Sequence, residues 1–180
     1  MNQAVDSTAT DQGGGSKRNF ILQQGFEDPI PQQCPVEFSA LSFQPRIVAV
    51  ILFVGILLHS PLYFLAFAGL LWWGAAFPRL NVFEVLYNAT ITRKIGRHKL
   101  TAAPPPRRFS QFLAGSFALS IGLTLATGHT TTAFILETLL AVAVLALAIG
   151  RFCLGSFLYH LIRGRATFAC RTLPWGSGRV

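Results

Sequence analysis

The sequence predicts an all-α polytopic membrane protein, with four transmembrane helices arranged as two hairpins plus a short interfacial helix. Three observations lead there. Of 180 residues, 52% are hydrophobic and only 12% charged, about half the charged share of an ordinary soluble domain. The apolar residues gather in two long blocks, each broken by a short polar turn. The charge is lopsided, with 15 Lys+Arg against 7 Asp+Glu for a net of +8. A chain that is both basic and apolar, with mean hydropathy +0.49, suits lipid as its solvent. A nucleic-acid binder would be basic and polar, and a disordered chain would lack the apolar residues.

Residues 1–19 read as a disordered tail, rich in Thr, Ser, Gln and Gly, with Gly13-Gly14-Gly15-Ser16 as a flexible run. No apolar stretch follows the early charges before position 47, so a cleaved signal peptide is not expected. Residues 20–44 are polar and punctuated by Pro29, Pro31 and Pro35, with scattered Phe and Leu. They read as a cytoplasmic segment lying on the membrane surface.

The first apolar block, 47–77, would reach roughly 46 Å as one helix, against a hydrocarbon core of about 30 Å. The break at His59-Ser60-Pro61 divides it. Ser60 is a good N-cap and Pro61 suits a first helical turn, which gives spans at about 45–59 and 61–77. A re-entrant hairpin is the structural alternative. The second block gives spans at about 109–127 and 131–152 around Thr127-Gly128-His129-Thr130, the last able to continue through Phe157, Leu158 and Tyr159 to Arg163. Between the blocks, Asn81 and Glu84 resemble a capping box. Val82, Val85, Leu86 and Ala89 share one helical face with Glu84 and Asn88 opposite, although Ile91 and Ile95 blur the segregation. A short interfacial helix follows. Pro104-Pro105-Pro106 reads as a stiff linker into the third span. Residues 164–180 form a cytoplasmic tail.

With four spans, all fifteen Lys and Arg residues fall on one side. By the positive-inside rule that side is cytoplasmic and carries both termini. A three-span count would split them. Trp72 and Trp73 fit an aromatic belt at the inner end of the second span. The basic collar explains the net charge and favours anionic lipid headgroups. Membrane lipid and other integral membrane subunits are the expected partners, and nucleic acid is not.

Ala114, Ala118, Gly122 and Ala126 recur every fourth residue in the third span, a helix-packing face of the kind lipid favours. Ala133, Ala141, Val144 and Ala148 offer a matching stripe in the fourth. Glu137 lies on that stripe, and an acid inside a span is costly enough to mark a candidate polar site. The alternative is that Ser116, Ser120 or Thr124 satisfies it. Arg151, about 21 Å further along the helix, is expected to snorkel to headgroups. Cys34 and Cys153 form a candidate thiol site, and Cys170 completes the cysteines. His59 and His129 occupy the outer turns, where polar turn roles are the plainer reading. Two histidines make a poor zinc site. Asn88-Ala89-Thr90 matches a glycosylation sequon by chance, given its cytoplasmic placement. No catalytic constellation, metal site or cofactor is expected.

Cys34-Pro35-Val36-Glu37, Pro106-Arg107-Arg108-Phe109-Ser110-Gln111 and Phe152-Cys153-Leu154-Gly155-Ser156-Phe157-Leu158-Tyr159 occur in that order around the two apolar hairpins. Together they resemble a bacterial four-helix integral membrane family known only as a domain of unknown function, over roughly residues 34–163. The resemblance implies a bacterial inner-membrane location. The family's last motif commonly ends Cys-Leu-Gly-Cys, where this chain has Ser156. That pattern implies thiol or sulfur chemistry for some relatives, with Cys34 as a further participant, and this chain lacks the second cysteine. The leading expectation is a non-enzymatic accessory or scaffolding subunit of a larger membrane complex. The alternatives are a thiol-linked redox or sulfur-handling protein using Cys34 and Cys153, and a small transporter or channel around Glu137.

Overall fold

The computed structural model describes residues 6–29, 34–87, 89 and 102–176. Every regular element among them is helical. In chain order these are α1 (Asp6–Gln23), α2 (Cys34–Leu41), α3 (Phe43–Leu58), α4 (Pro61–Ala76), a 3-10 turn (Pro78–Leu80), α5 (Val82–Tyr87), α6 (Pro105–Ala126), α7 (Thr130–Ala148), α8 (Leu154–Ile162) and α9 (Ala166–Arg171). Three stretches are long and apolar enough to cross a membrane: Glu37–Leu58, which runs from α2 into α3, Pro105–Ala126 and Thr130–Ala148. Helix α4 is apolar but shorter.

The first hairpin turns where the sequence predicts. His59 closes α3 in the left-handed region at φ 48°, its N–H donating to the Gly55 carbonyl at 2.9 Å. Ser60 is extended and Pro61 opens α4, yet the Ser60 hydroxyl makes no capping bond. Proline supplies the preset φ and removes one donor that a cap would have satisfied.

Helix α6 is the centre of the bundle, packing along α4 and also against α7 and α8, while α3 lies on α7. α4 and α6 run antiparallel: a Cβ on Gly122 would meet Leu65 and the Pro61 carbonyl, and one on Gly115 would meet Trp72. The predicted small-residue row is therefore divided. Gly122 faces α4, Ala118 is in the core, Ala114 lines a cavity with Val144 of α7, and Ala126 is exposed. Val48, Leu52, Phe64, Phe67, Leu71, Ile121, Leu140 and Val144 fill the interior between these helices.

Several boundaries differ from the sequence expectation. Helix α6 begins at Pro105 instead of 109, because prolines at the first two positions donate to nothing there and cost nothing. The fourth apolar stretch does not run on to Arg163. It stops at Ala148, turns through Gly150 and Arg151 (φ 54°), and restarts as α8 with Cys153 at its N-cap. The face of α5 is inverted: Phe83, Glu84 and Tyr87 point inward while Val82, Val85 and Leu86 are exposed. A lone carboxylate turns inward because a buried arginine waits there. The Asn81 side chain does cap α5, its Oδ1 accepting the Phe83 N–H at 3.1 Å, but the Glu84 half of the box is not formed. Asn88 and residues 90–101 lie outside the described residues.

Residues 6–23 form α1 where the composition predicts a disordered tail to 19. The last turn of α1 is what docks. Phe20 and Ile21 are buried with Cys34 and Leu41, and Asn19 Nδ2 donates to the carbonyls of Leu173 and Gly176 at 2.9 and 3.1 Å. The end of α1, α2 and the C-terminal tail thus pack together as a cap over the basic end of the bundle.

Candidate functional site

Under that cap lies a buried polar cluster built on Arg107, in the first turn of α6. Its guanidinium donates to Gln24 Oε1 at 3.1 Å and to Gln44 Oε1 at 2.7 Å. Glu84 Oε1 lies 3.9 Å from its Nε, and the Phe26 ring 5.8 Å from its Cζ. One side chain therefore ties the end of α1, the start of α3 and α5 to the head of α6. Burial pushes the Glu84 carboxyl above its ordinary range, and the charge of Arg107 pulls it back. One turn on, Gln111 is buried with neither amide atom hydrogen-bonded. A cavity of about 70 Å³ is lined by Gln24, Gln44, Arg107, Ser110, Gln111 and Cys153 on its polar side. That is room for a few waters or a small polar ligand.

Cys153 closes this cavity. Its N–H donates to Gln23 Oε1 at 2.9 Å. Its sulfur lies 3.3 Å from Ser110 Oγ, which lies 3.0 Å from Ser156 Oγ. Ser110 donates its own proton to the Pro106 carbonyl at 2.9 Å, leaving two lone pairs that accept from the Cys153 thiol and the Ser156 hydroxyl. Gly155 makes this closeness possible, since a Cβ there would sit 2.7 Å from Ser110 Cα. Arg107 lines the same cavity as Cys153. On its other side Cys153 borders an apolar cavity of about 200 Å³ between α6, α7 and α8. The same Gln23 is held from α8, where His160 Nε2 donates to its carbonyl at 3.0 Å, and burial holds that imidazole below its ordinary basicity.

Residues 36–164 match the family described as a domain of unknown function (DUF4395). The chain belongs to this family. No curated protein and no solved structure matches the chain. Within the matched region, the Pro106–Gln111 and Phe152–Tyr159 stretches, far apart in sequence, interlock through Ser110, Cys153 and Ser156 and through the Phe109 and Tyr159 rings at 5.8 Å.

The other candidate residues are dispersed. Cys34 sits in the apolar contact of α1 with α2, its thiol pushed up by burial and further by Glu37. All three cysteines are free, so Cys34 and Cys153 form no disulfide, and Cys170 is exposed. Glu137 is buried at the far end of the bundle, its Oε1 3.6 Å from His59 Nδ1. Ser116, Ser120 and Thr124 do not reach it, each donating to a carbonyl of its own helix. His129 Nδ1 pairs with the Thr127 hydroxyl instead of His59. The Arg151 guanidinium lies over the Phe38 ring at 5.2 Å. Among the described residues, no group of three or more His, Cys, Asp or Glu side chains could hold a metal ion.

The sequence reading took Arg107 as an orienting charge and, with Gln111, as part of a motif, took Glu84 as part of a helix cap, and singled out neither Gln24 nor Gln44. Uncharged glutamines in polar linkers carry no signal of their own. The available hint was an arginine inside a proline-opened apolar helix, where a charge needs partners.

Proposed function

We propose that this chain is a four-span protein of the bacterial inner membrane that works through one thiol, Cys153, at its cytoplasmic end. The short α4 serves as the second span, about 24 Å long at helical rise, and the bilayer thins to meet it. The basic end, with both termini, faces the cytoplasm. The observation that carries the functional reading is that the Cys153 sulfur lines one cavity with the Arg107 guanidinium and the unpartnered amide of Gln111. Gln111 and Arg107 offer donors to a small polar substrate. The sulfur is the nucleophile. Ser156 in place of a second cysteine makes this single-thiol redox or sulfur-handling chemistry, with Cys34 apart from it.

The test exploits Cys170, which is exposed while Cys153 is buried. After brief peroxide treatment of membranes, the thiols are alkylated and mapped by mass spectrometry. A reactive pocket gives oxidation at Cys153 before Cys170. Oxidation following exposure alone, Cys170 first and Cys153 spared, contradicts the proposal.

The accessory-subunit reading keeps one supporting observation. Ser116, Ser120 and Thr124 form a row of small hydroxyls toward the outside of α6, with their bonds satisfied internally. Such a face suits close approach of another helix in lipid. Native electrophoresis of gently solubilised membranes tests it, and migration only as a free monomer counts against it.

A further inference from the structure

At the end of the bundle opposite the thiol pocket, a second pair of side chains is left over from packing. Glu137 is 2% exposed and its Oε1 has no hydrogen-bond donor. An unsatisfied buried carboxyl is expensive, and a packing role would not retain it. Among the described residues its close ionisable neighbour is His59, with Nδ1 at 3.6 Å and a side chain 48% exposed. The pair therefore grades from interior to solvent across one contact. His59 holds the left-handed position that closes α3, at φ 48°. Glycine is the default residue there, and histidine enters this region more readily than most side chains, so the turn can carry an imidazole beside Glu137.

The neighbouring groups do not compete for either partner. His129, in the adjoining turn, pairs with Thr127 Oγ1 at 2.9 Å. Tyr63, in the first turn of α4, commits its hydroxyl to the Ile51 carbonyl at 2.8 Å. The α6 hydroxyls bond their own backbone.

We propose that His59 and Glu137 form a proton-binding site loaded from the face of the membrane opposite the basic end. The half-exposed imidazole takes a proton from water, and His59 Nδ1 passes it to the Glu137 carboxylate. The imidazolium loses one proton and the carboxylate gains it, so no other reactant is needed. This site is independent of the Cys153 chemistry.

Infrared difference spectroscopy on the full chain in lipid vesicles, acidified stepwise, tests the proposal. The expected result is a protonated-carboxyl band that Glu137→Gln removes. His59→Gly should move its midpoint by about one pH unit or more, as expected for two coupled sites. Glycine suits the left-handed turn, so this variant keeps the hairpin, and unchanged helical circular dichroism verifies it. A Glu137 band with the same midpoint in His59→Gly, or no titrating band assignable to Glu137, overturns the proposal.

Discussion

Arg107 shows how much one buried side chain can organise. Hiding a guanidinium is tolerable only with partners, and here Gln24, Gln44 and Glu84 supply them from three separate segments. Arg107→Ala leaves a carboxylate and two amide oxygens behind, so it should cost about 3–5 kcal/mol, read as a lowered thermal midpoint in detergent. Arg107→Lys should recover only part of this, because an ammonium lacks the planar fork that reaches two glutamines at once. His160 gives a pH signature. Its folded basicity lies below the ordinary histidine value of 6.5, chiefly through burial. The unfolded chain therefore binds the proton more readily, and stability is lost as pH falls from about 6.5 toward the lower folded value. Its bond to the Gln23 carbonyl places the effect at the junction of α1 and α8. After correction for intrinsic exchange, amide protection in the last turn of α1 should fall on acidification, and His160→Gln should abolish that dependence. A pH-independent protection factor in the native chain contradicts it. At this scale the sequence was least legible. Glu137 and Cys153 stood out as an acid and a thiol near or within apolar stretches, but the partners of each come from residues that look like ordinary loop polar groups.

At the scale of elements, hydrophobic blocks and prolines carried most of the prediction. The turn at His59-Ser60-Pro61 and the one at 127–129 are where the polar breaks put them. The boundaries that moved did so for local reasons: prolines that start a helix as readily as they stop one, and Arg151, after Gly150, adopting positive φ to break the apolar run. The inversion of α5 has a different cause. A helical wheel reports segregation but not which side is wet, and in a bilayer the apolar face can point outward. Packing makes a sharp prediction at Gly115. A Cβ there would lie 2.4 Å from Trp72 Cδ1, and Trp72 is held by stacking on Phe112 and by its bond to the Phe112 carbonyl at 3.2 Å. Gly115→Ala should cost about 1–3 kcal/mol and change tryptophan fluorescence, whereas Ala126→Val, at an exposed position, should do neither. Equal effects would show that the α4–α6 contact is looser than described.

For the whole molecule, the apolar excess and the one-sided charge become two ends of one bundle. The basic end is capped by α1, α2 and α9 and encloses the thiol pocket. The opposite end holds short turns and the His59–Glu137 pair. The proposed sidedness predicts that a membrane-impermeant maleimide labels Cys170 in inverted vesicles and not in intact cells, and the reverse pattern would refute it. The cap itself was illegible because its binding groups, Asn19, Gln23 and Gln24, sit where composition reads as the end of a tail and the start of a surface segment. The central claim is that Arg107 and Cys153 act as one site. The most direct measurement is the alkylation rate of Cys153 relative to Cys170 in the native chain and in Arg107→Gln. The account predicts that the variant slows Cys153 by about tenfold, because the pocket loses the guanidinium that positions the reagent at the sulfur, while Cys170 is unchanged. Equal Cys153 rates in the two proteins would contradict it.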